Sequence, residues 1–364
     1  MEKKMIYDTN DEKIACCFFR STVQKPNMKA LLQITERCNL KCKHCFVSSL
    51  PEGHDLSFEK IKNVILPKLK ESNVTRVTLT GGEPMVHRNI MDIIKLFNEN
   101  NIHITLCTNA LGLNEQKIIE ISKMKDVHVN VSLDGFSSKS HGKFRGNERD
   151  DVFNKIIENI ELLSKYNLLN GIMTSPNKYS SMDEYLNICK FAKEHKANYV
   201  LFNPLSKFGR GEYTQNLAYT QEELVELRKN IELMNIEDDS FQIVFIRIPK
   251  ENATERLSEC NCEITYIFTN GDVAVCPYMV FACENEESQY KREDFLYGNI
   301  FDSDFNLLKK MNEYTLPSYV KNINESYSCK DCGKGCMAIK IAHGLSIYDC
   351  DIEMCKKAKK KENI

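Results

Sequence analysis

Between residues 30 and 204 short apolar runs alternate six times with amphipathic stretches, and few folds accept that order. The strand candidates are "ALLQITE" (30–36), "TRVTLT" (75–80), "HITLCTN" (103–109), "VHVNVSLD" (127–134), "LNGIMTS" (169–175) and "NYVLFNP" (198–204). Helical spacing fills the gaps. "FEKIKNVILPKLKE" (58–71) is helical, with Pro67 kinking or shortening it. Ile90, Ile93, Ile94 and Phe97 share a stripe, and further helices are expected over 114–123, 151–166 and 182–195. Such alternation predicts parallel strands joined by right-handed helical crossovers.

An open sheet and a barrel both satisfy the pattern. In "VHVNVSLD", Val127, Val129, Val131 and Leu133 share one face, while His128, Asn130, Ser132 and Asp134 share the other. His103, Thr105, Cys107 and Asn109 likewise share a face. Parallel strands covered on both sides are normally apolar on both. A polar face on two neighbouring strands therefore favours a barrel with a wet or cofactor-lined interior over a solvent-facing edge. The candidate motifs follow the strands: the cysteine loop after the first, "TGGEP" after the second, "CTNA" after the third and "SLDG" after the fourth. In βα barrels ligands bind at those C-terminal ends.

At 364 residues the chain is long enough for about two domains or one barrel with an appendage. The texture changes around 235–255, after which the alternation stops. The expected division is an N-terminal extension (1–29), a barrel (30–235), a linker (236–254) and a Cys-rich region (255–364). A formal charge of −2 gives no footprint for nucleic acid, and the lysines of "CKKAKKKENI" read as a solvated tail. Without an apolar run of membrane-spanning length or a secretion signal, a cytoplasmic location is expected, with no membrane partner. Sixteen cysteines in a reducing compartment point to metal ligation or redox chemistry rather than disulfides. They cluster at 38–45 and again from 260 to 355.

In "ERCNLKCKHCF", Cys38, Cys42 and Cys45 would share one face if the loop were a helix, but the polar residues between them suit a buried face poorly. Zinc normally takes four protein ligands at a structural site, and His44 is awkwardly placed beside Cys45. Three thiolates suit an iron–sulfur cubane with one iron left open.

This C-x3-C-x2-C loop after a first strand resembles that of the radical S-adenosylmethionine (SAM) superfamily. The resemblance implies a partial (β/α)6 TIM-like barrel over roughly residues 30–235. It implies a [4Fe-4S] cluster on Cys38, Cys42 and Cys45 whose open iron chelates SAM, and reductive cleavage of SAM to methionine and a 5′-deoxyadenosyl radical. His44 would lie against the adenine. Gly81 and Gly82 would let the backbone approach the SAM amine, and Glu83 would accept a hydrogen bond from it. Ser132 and Asp134 are implied ribose contacts, and Arg145, with Arg149 competing, would meet the SAM carboxylate. Reduction implies an electron donor such as flavodoxin or ferredoxin.

The C-terminal cysteines resemble a SPASM extension, which holds two auxiliary [4Fe-4S] clusters. Cys260, Gly271 and Cys276 fit its first part, and Asn-Gly in "TNGD" signals a hairpin between them. Cys329 and Cys332 fit the next part. "CKDCGKGC" then departs, with three cysteines where four are expected. By family logic one cluster takes Cys260, Cys262, Cys276 and Cys336, and the other takes Cys329, Cys332, Cys350 and Cys355. Cys283 is spare or replaces Cys262. A single auxiliary cluster or a zinc-stabilised appendage are the alternatives, since thiolate sets bind both metals.

Enzymes with this extension act mostly on peptides, so the resemblance implies a maturase of a ribosomally made peptide. The residues before the first strand are too few for a fused leader-recognition domain, which implies a separate recognition protein or direct binding of the leader. Competing readings are a dehydrogenase, an epimerase with Cys107 as hydrogen donor, and a sulfatase-maturase-like oxidase. Pro277 counts against the last, because that activity places an aspartate there. A non-catalytic zinc-binding protein is the reading from another class. Cys189, on the apolar stripe of its helix, is read as core.

Overall fold

The computed structural model describes residues 14–15, 26–251, 257–258, 260, 265–316 and 335–355. Seven parallel strands run in chain order: β1 (Met28–Thr35), β2 (Val74–Gly81), β3 (His103–Thr108), β4 (Val127–Ser132), β5 (Leu169–Thr174), β6 (Tyr199–Phe202) and β7 (Gln242–Phe245). Six are the strands expected from the alternation. The seventh lies where connecting chain was expected; at four residues, all buried, it is too short to show a period. Three more strands extend the other side of β1. β8 (Thr265–Ile267) pairs parallel with β1, β9 (Asp272–Ala274) pairs antiparallel with β8, and β10 (Leu296–Asn299) pairs antiparallel with β9. The ten-stranded sheet therefore has β10 and β7 at its ends, with β1 inside it.

Register explains the two faces. Leu32 lies beside Leu79, Leu79 beside Leu106 and Leu106 beside Val129, an apolar row beneath the helices. Helix Ile90–Glu99 covers it with Ile90, Ile93, Ile94 and Phe97, and helix Asp150–Lys165 with Ile156, Ile160 and Leu163. Cys189, fully buried in helix Met182–Glu194, joins that core. The opposite row is polar. Gln33 sits beside Thr80, while Cys107, Asn130, Gly171, Tyr199 and Gln242 follow one another across β3 to β7. Gln33 and Asn130 are nonetheless buried, so this is an internal face, as the strand pattern predicts.

Pro67 is absorbed locally. Residues Ile61–Ile65 form a π-helical turn that leads into helix Leu66–Glu71, whose second residue is the proline. The proline has no N–H to give to the preceding turn, and the widened turn carries the chain past it. The "TNGD" hairpin forms between β8 and β9, with Gly271 at φ +91°. Among the described residues no helix is long and apolar enough to cross a membrane.

Helix Asp150–Lys165 is tied to the loop after β3 by one fully buried side chain. Asn159 Nδ2 donates to the carbonyls of Ala110 (2.9 Å) and Leu113 (3.2 Å). Asn159→Ala leaves both carbonyls without that donor and is expected to destabilise the fold by about 1–3 kcal/mol. Asn63→Ala, on an exposed surface, should change stability by less than about 0.5 kcal/mol. Anaerobic denaturant unfolding of the two variants checks both values.

Candidate functional site

The cysteine loop leaves β1 and is held by its own backbone. Thr35 O accepts from Gly82 N and Arg37 O from Glu83 N, both at 2.8 Å, which stitches the loop's start to the end of β2. Cys38 N donates to Leu50 O at 2.7 Å, and Lys43 N to Phe144 O at 2.9 Å. Two residues far along the chain grip the middle. Arg210 gives its Nε to Cys42 O (2.7 Å), its Nη1 to Ser49 O (2.8 Å) and its backbone N–H to Cys45 O (3.0 Å). Thr214 Oγ1 donates to Lys43 O at 3.0 Å. Neither carries a motif, so sequence reading missed both.

Cys38 and Cys42 are buried and Cys45 half-buried, and the three share one small cluster with Leu40 and Leu111. Burial pushes the Cys38 thiol up and the Cys42 thiol to about 12, with the Arg145 guanidinium pulling back on both. Arg145 Nη1 stands 3.9 Å from Cys42 Sγ, and its Nε donates to Asp134 Oδ2 at 2.7 Å. Burial disfavours the Asp134 carboxylate, but Arg145 and His44 outweigh it and hold the group below its usual range. Asp134 Oδ1 accepts from Ser175 N at 2.8 Å, and its carbonyl accepts from Asn177 Nδ2 and Ser180 Oγ. Ser132 stands two residues earlier, at the end of β4. His44 stacks flat on Phe144, with centroids 4.2 Å apart, and its Nε2 is 3.6 Å from Asp134 Oδ2. Burial lowers it to about 4, so the ring is neutral near pH 7. Arg149 lies outside this group, exposed and paired with Asp151.

Glu83 is buried, and burial raises its pKa. Its oxygens accept from Thr108 Oγ1 (2.5 Å), Asn109 N (2.6 Å) and Met85 N (3.0 Å). Asn109 in turn reaches Asn39 Oδ1 at 2.8 Å, so "CTNA" braces both "GGEP" and the cysteine loop. What the glycines admit here is backbone. A Cβ on Gly82 would sit 2.1 Å from Arg37 O, and one on Gly81 (φ +152°) 2.3 Å from Thr35 O.

Cys107 lies on the internal polar row, where burial pushes its thiol up to about 12. Tyr266, on β8, is fully buried with its hydroxyl unpartnered among the described residues. It lies beside Leu31 of β1, which shares its strand face with Gln33, so it stands on that face as well.

In the C-terminal region Cys262, Cys329 and Cys332 lie outside the described residues. Cys350 and Cys355 are buried and pack together. Cys276 and Cys336 each stand immediately before a short helix, Pro277–Ala282 and Met337–Ala342, and these helices pack on each other. Lys340, on the second of them, is almost fully buried and gives its Nζ to Ile347 O at 3.0 Å. Burial lowers its pKa against the pull of Asp351 and the sulfurs of Cys336, Cys260 and Cys350. Its spacing looks like any surface lysine, which hid it from sequence reading. Arg247 pairs with Asp351 and, at 2.6 Å, with Glu353.

Among the described residues no three His, Cys, Asp or Glu side chains converge to hold a single metal ion. Cys38, Cys42 and Cys45 offer three clustered thiols with the Arg145 guanidinium beside Cys42, and these are the residues that could hold an iron–sulfur cluster.

Residues 32–199 match the Radical SAM superfamily. The antilisterial bacteriocin subtilosin biosynthesis protein AlbA of Bacillus subtilis is 26% identical over 280 residues, which is 76% of this chain and 58% of AlbA. The chain thus spans little over half of that relative's length. Mycofactocin maturase MftC of Mycolicibacterium smegmatis is 23% identical, covering 88% of this chain and 81% of that one. In fold, Streptococcus suis SuiB bound to S-adenosylmethionine superposes with a TM-score of 0.69 at 20% identity, over 90% of this chain and 77% of SuiB.

Two substitutions test the site's construction. Asp134→Ala leaves the Arg145 guanidinium buried without its carboxylate and should cost about 3–5 kcal/mol of stability. Gly82→Ala forces the end of β2 away from the cysteine loop and should destabilise by about 1–3 kcal/mol. It should also lower iron retained by the cysteine loop after anaerobic reconstitution. Denaturant unfolding and iron analysis provide the two readouts.

Proposed function

Because residues 32–199 match the Radical SAM superfamily, we propose that the chain cleaves S-adenosylmethionine reductively and modifies a ribosomally made peptide, by an oxidative cross-link such as a thioether. The observation that carries the first half is the clamped loop of Cys38, Cys42 and Cys45 with Arg145 against Cys42. Cys38, Cys42 and Cys45 would hold a [4Fe-4S] cluster, which would supply the electron for reductive cleavage of SAM. Arg145, oriented by Asp134, is offered to the SAM carboxylate. Glu83 and the backbone at Gly81 and Gly82 serve the amine, neutral His44 the adenine, and Ser132 with Asp134 the ribose.

The second half rests on the relatives. AlbA and MftC are named for bacteriocin biosynthesis and mycofactocin maturation, and SuiB has been solved with its precursor peptide SuiA. Two auxiliary [4Fe-4S] clusters on the C-terminal cysteines would accept the electron from an oxidised substrate radical. A separate leader-recognition protein, and flavodoxin or ferredoxin as reductant, complete the proposed partners.

One observation favours a second reading. Cys107 stands beside Asn130 on the internal polar face, where burial also raises its thiol pKa, and an S–H so placed is what an epimerase needs in order to return a hydrogen atom.

Three measurements test these statements. The Cys38→Ala, Cys42→Ala, Cys45→Ala triple variant should release no 5′-deoxyadenosine yet keep much of its C-terminal iron; undiminished cleavage overturns the cofactor assignment. Reconstituted wild type should hold about twelve irons per chain, whereas about four irons with tightly bound zinc would make the C-terminal region structural. Intact-mass analysis of the genomically adjacent peptide after reaction in deuterated water should show a loss of about two mass units per event, the two hydrogens of an oxidative cross-link. Uptake of one deuterium at carbon without that loss would select the epimerase, with Cys107 as donor.

A further inference from the structure

Lys340 stands on helix Met337–Ala342 and is 2% exposed. A lysine is rarely buried so completely unless a partner repays the loss of water. Its ammonium carries three N–H groups. Among the described residues one of them is used, to Ile347 O at 3.0 Å, and the ammonium makes no ion pair. The carboxylates of this region serve other cations. Asp351 gives both oxygens to the Arg247 guanidinium, and Glu353 accepts from Arg247 at 2.6 Å and meets His343 Nε2 at 2.7 Å.

The company Lys340 keeps is cysteine. Cys336 stands one turn earlier on the same helix, where Lys340 N reaches its carbonyl at 3.4 Å, and residues so spaced share a helix face. Ile347, which holds the ammonium, leads into the turn of Cys350 and Cys355, whose side chains pack together. Cys355 N closes that turn on Asp351 O at 2.8 Å. The local electrostatics agree with this placement. Burial works against the charge on Lys340, while Asp351 and the sulfurs of Cys336, Cys260 and Cys350 work to keep it. Those sulfurs belong to three separate stretches of chain. An apolar side chain would serve packing alone. A buried ammonium with N–H groups to spare suits a bound group that carries negative charge on sulfur, and thiolate-bound iron–sulfur clusters are of that kind. Net charge and hydrogen bonds to the sulfurs are among the quantities that set their potentials.

We propose that Lys340 is the charge-compensating residue of the C-terminal cysteine centre, where its buried ammonium raises the reduction potential of the cluster that Cys260 and Cys336 would hold. The role rests on the reading of the C-terminal cysteines as ligands of auxiliary clusters and adds to it the residue that sets how readily such a cluster accepts an electron. Lys340 touches neither SAM nor substrate in this role; it acts through the sulfurs.

The test uses the full chain carrying Cys38→Ala, Cys42→Ala and Cys45→Ala, reconstituted anaerobically, so that every iron signal belongs to the C-terminal cysteines. Lys340→Met and Lys340→Gln are added to that background, and redox titration followed by electron paramagnetic resonance reads the midpoint potentials. Methionine approximates the shape of lysine without its charge, and replacing a buried charge by an apolar side chain is often neutral for stability. Glutamine keeps a donor for Ile347 O and carries the test if the methionine variant does not fold. One midpoint potential should fall by at least about 59 mV, a ten-fold change in a one-electron equilibrium, with iron content unchanged. A lysine that served packing alone would shift the unfolding midpoint and leave the potentials where they were. Unmoved potentials overturn the proposal, and so does loss of iron from both variants, which would make Lys340 structural. A background protein that retains no C-terminal iron overturns the auxiliary-cluster reading together with it, whereas retained iron with unmoved potentials removes only the role of Lys340.

Discussion

Everything at the centre of this protein is arranged around one buried ion pair. Asp134 and Arg145 sit where the sheet's polar face meets the cysteine loop, and neither charge is tolerable there alone. The pair is satisfied only if several segments arrive together. Asp134 needs the backbone of Ser175 after β5, the side chains of Asn177 and Ser180, and the ring of His141, whose Nδ1 accepts the Asp134 N–H at 3.0 Å. Arg145 brings Phe144, and Phe144 carries both His44 and the Lys43 amide. One electrostatic requirement thus fixes the positions of three strand ends and aims a guanidinium at a thiol.

The loop that bears the thiols is rigid for a separate reason: its carbonyls are spoken for. Gly82 and Glu83 take the carbonyls at its start, Arg210 and Thr214 those at its middle. The segment that carries the three sulfurs is thereby held by hydrogen bonds to its main chain. Preorganisation of this kind lowers the ordering that binding must otherwise impose.

Much of this was legible in the sequence. The alternation revealed six of the seven parallel strands, because a helical stripe such as Ile90, Ile93, Ile94 and Phe97 is a local pattern. The alternating polarity of residues 127–134 identified the internal face, and thiol spacing identified the loop. What stayed hidden depends on contacts between distant segments. Arg210 acts 168 positions from Cys42, and it does so through a carbonyl, which every residue possesses. Lys340 looks like a surface lysine until the fold buries it. The glycines of "GGEP" were legible as a turn, yet what crowds them, the carbonyls of Thr35 and Arg37, could be seen only once β1 and β2 were side by side. β7 escaped because four buried residues carry no period.

The parallel pairing of β8 with β1 has a consequence for how such a chain comes to be folded. β1 is flanked on one side by β2, which follows closely, and on the other by a strand from the far end of the chain; Thr269, just beyond β8, meets Glu36 across 233 positions. During synthesis one edge of β1 must wait until that distant segment has emerged. Contacts of such long range form slowly, and an apolar strand with an open edge is a template for pairing with other chains meanwhile. The strand that leads into the cysteine loop is therefore one whose open edge needs shielding while the chain is still emerging.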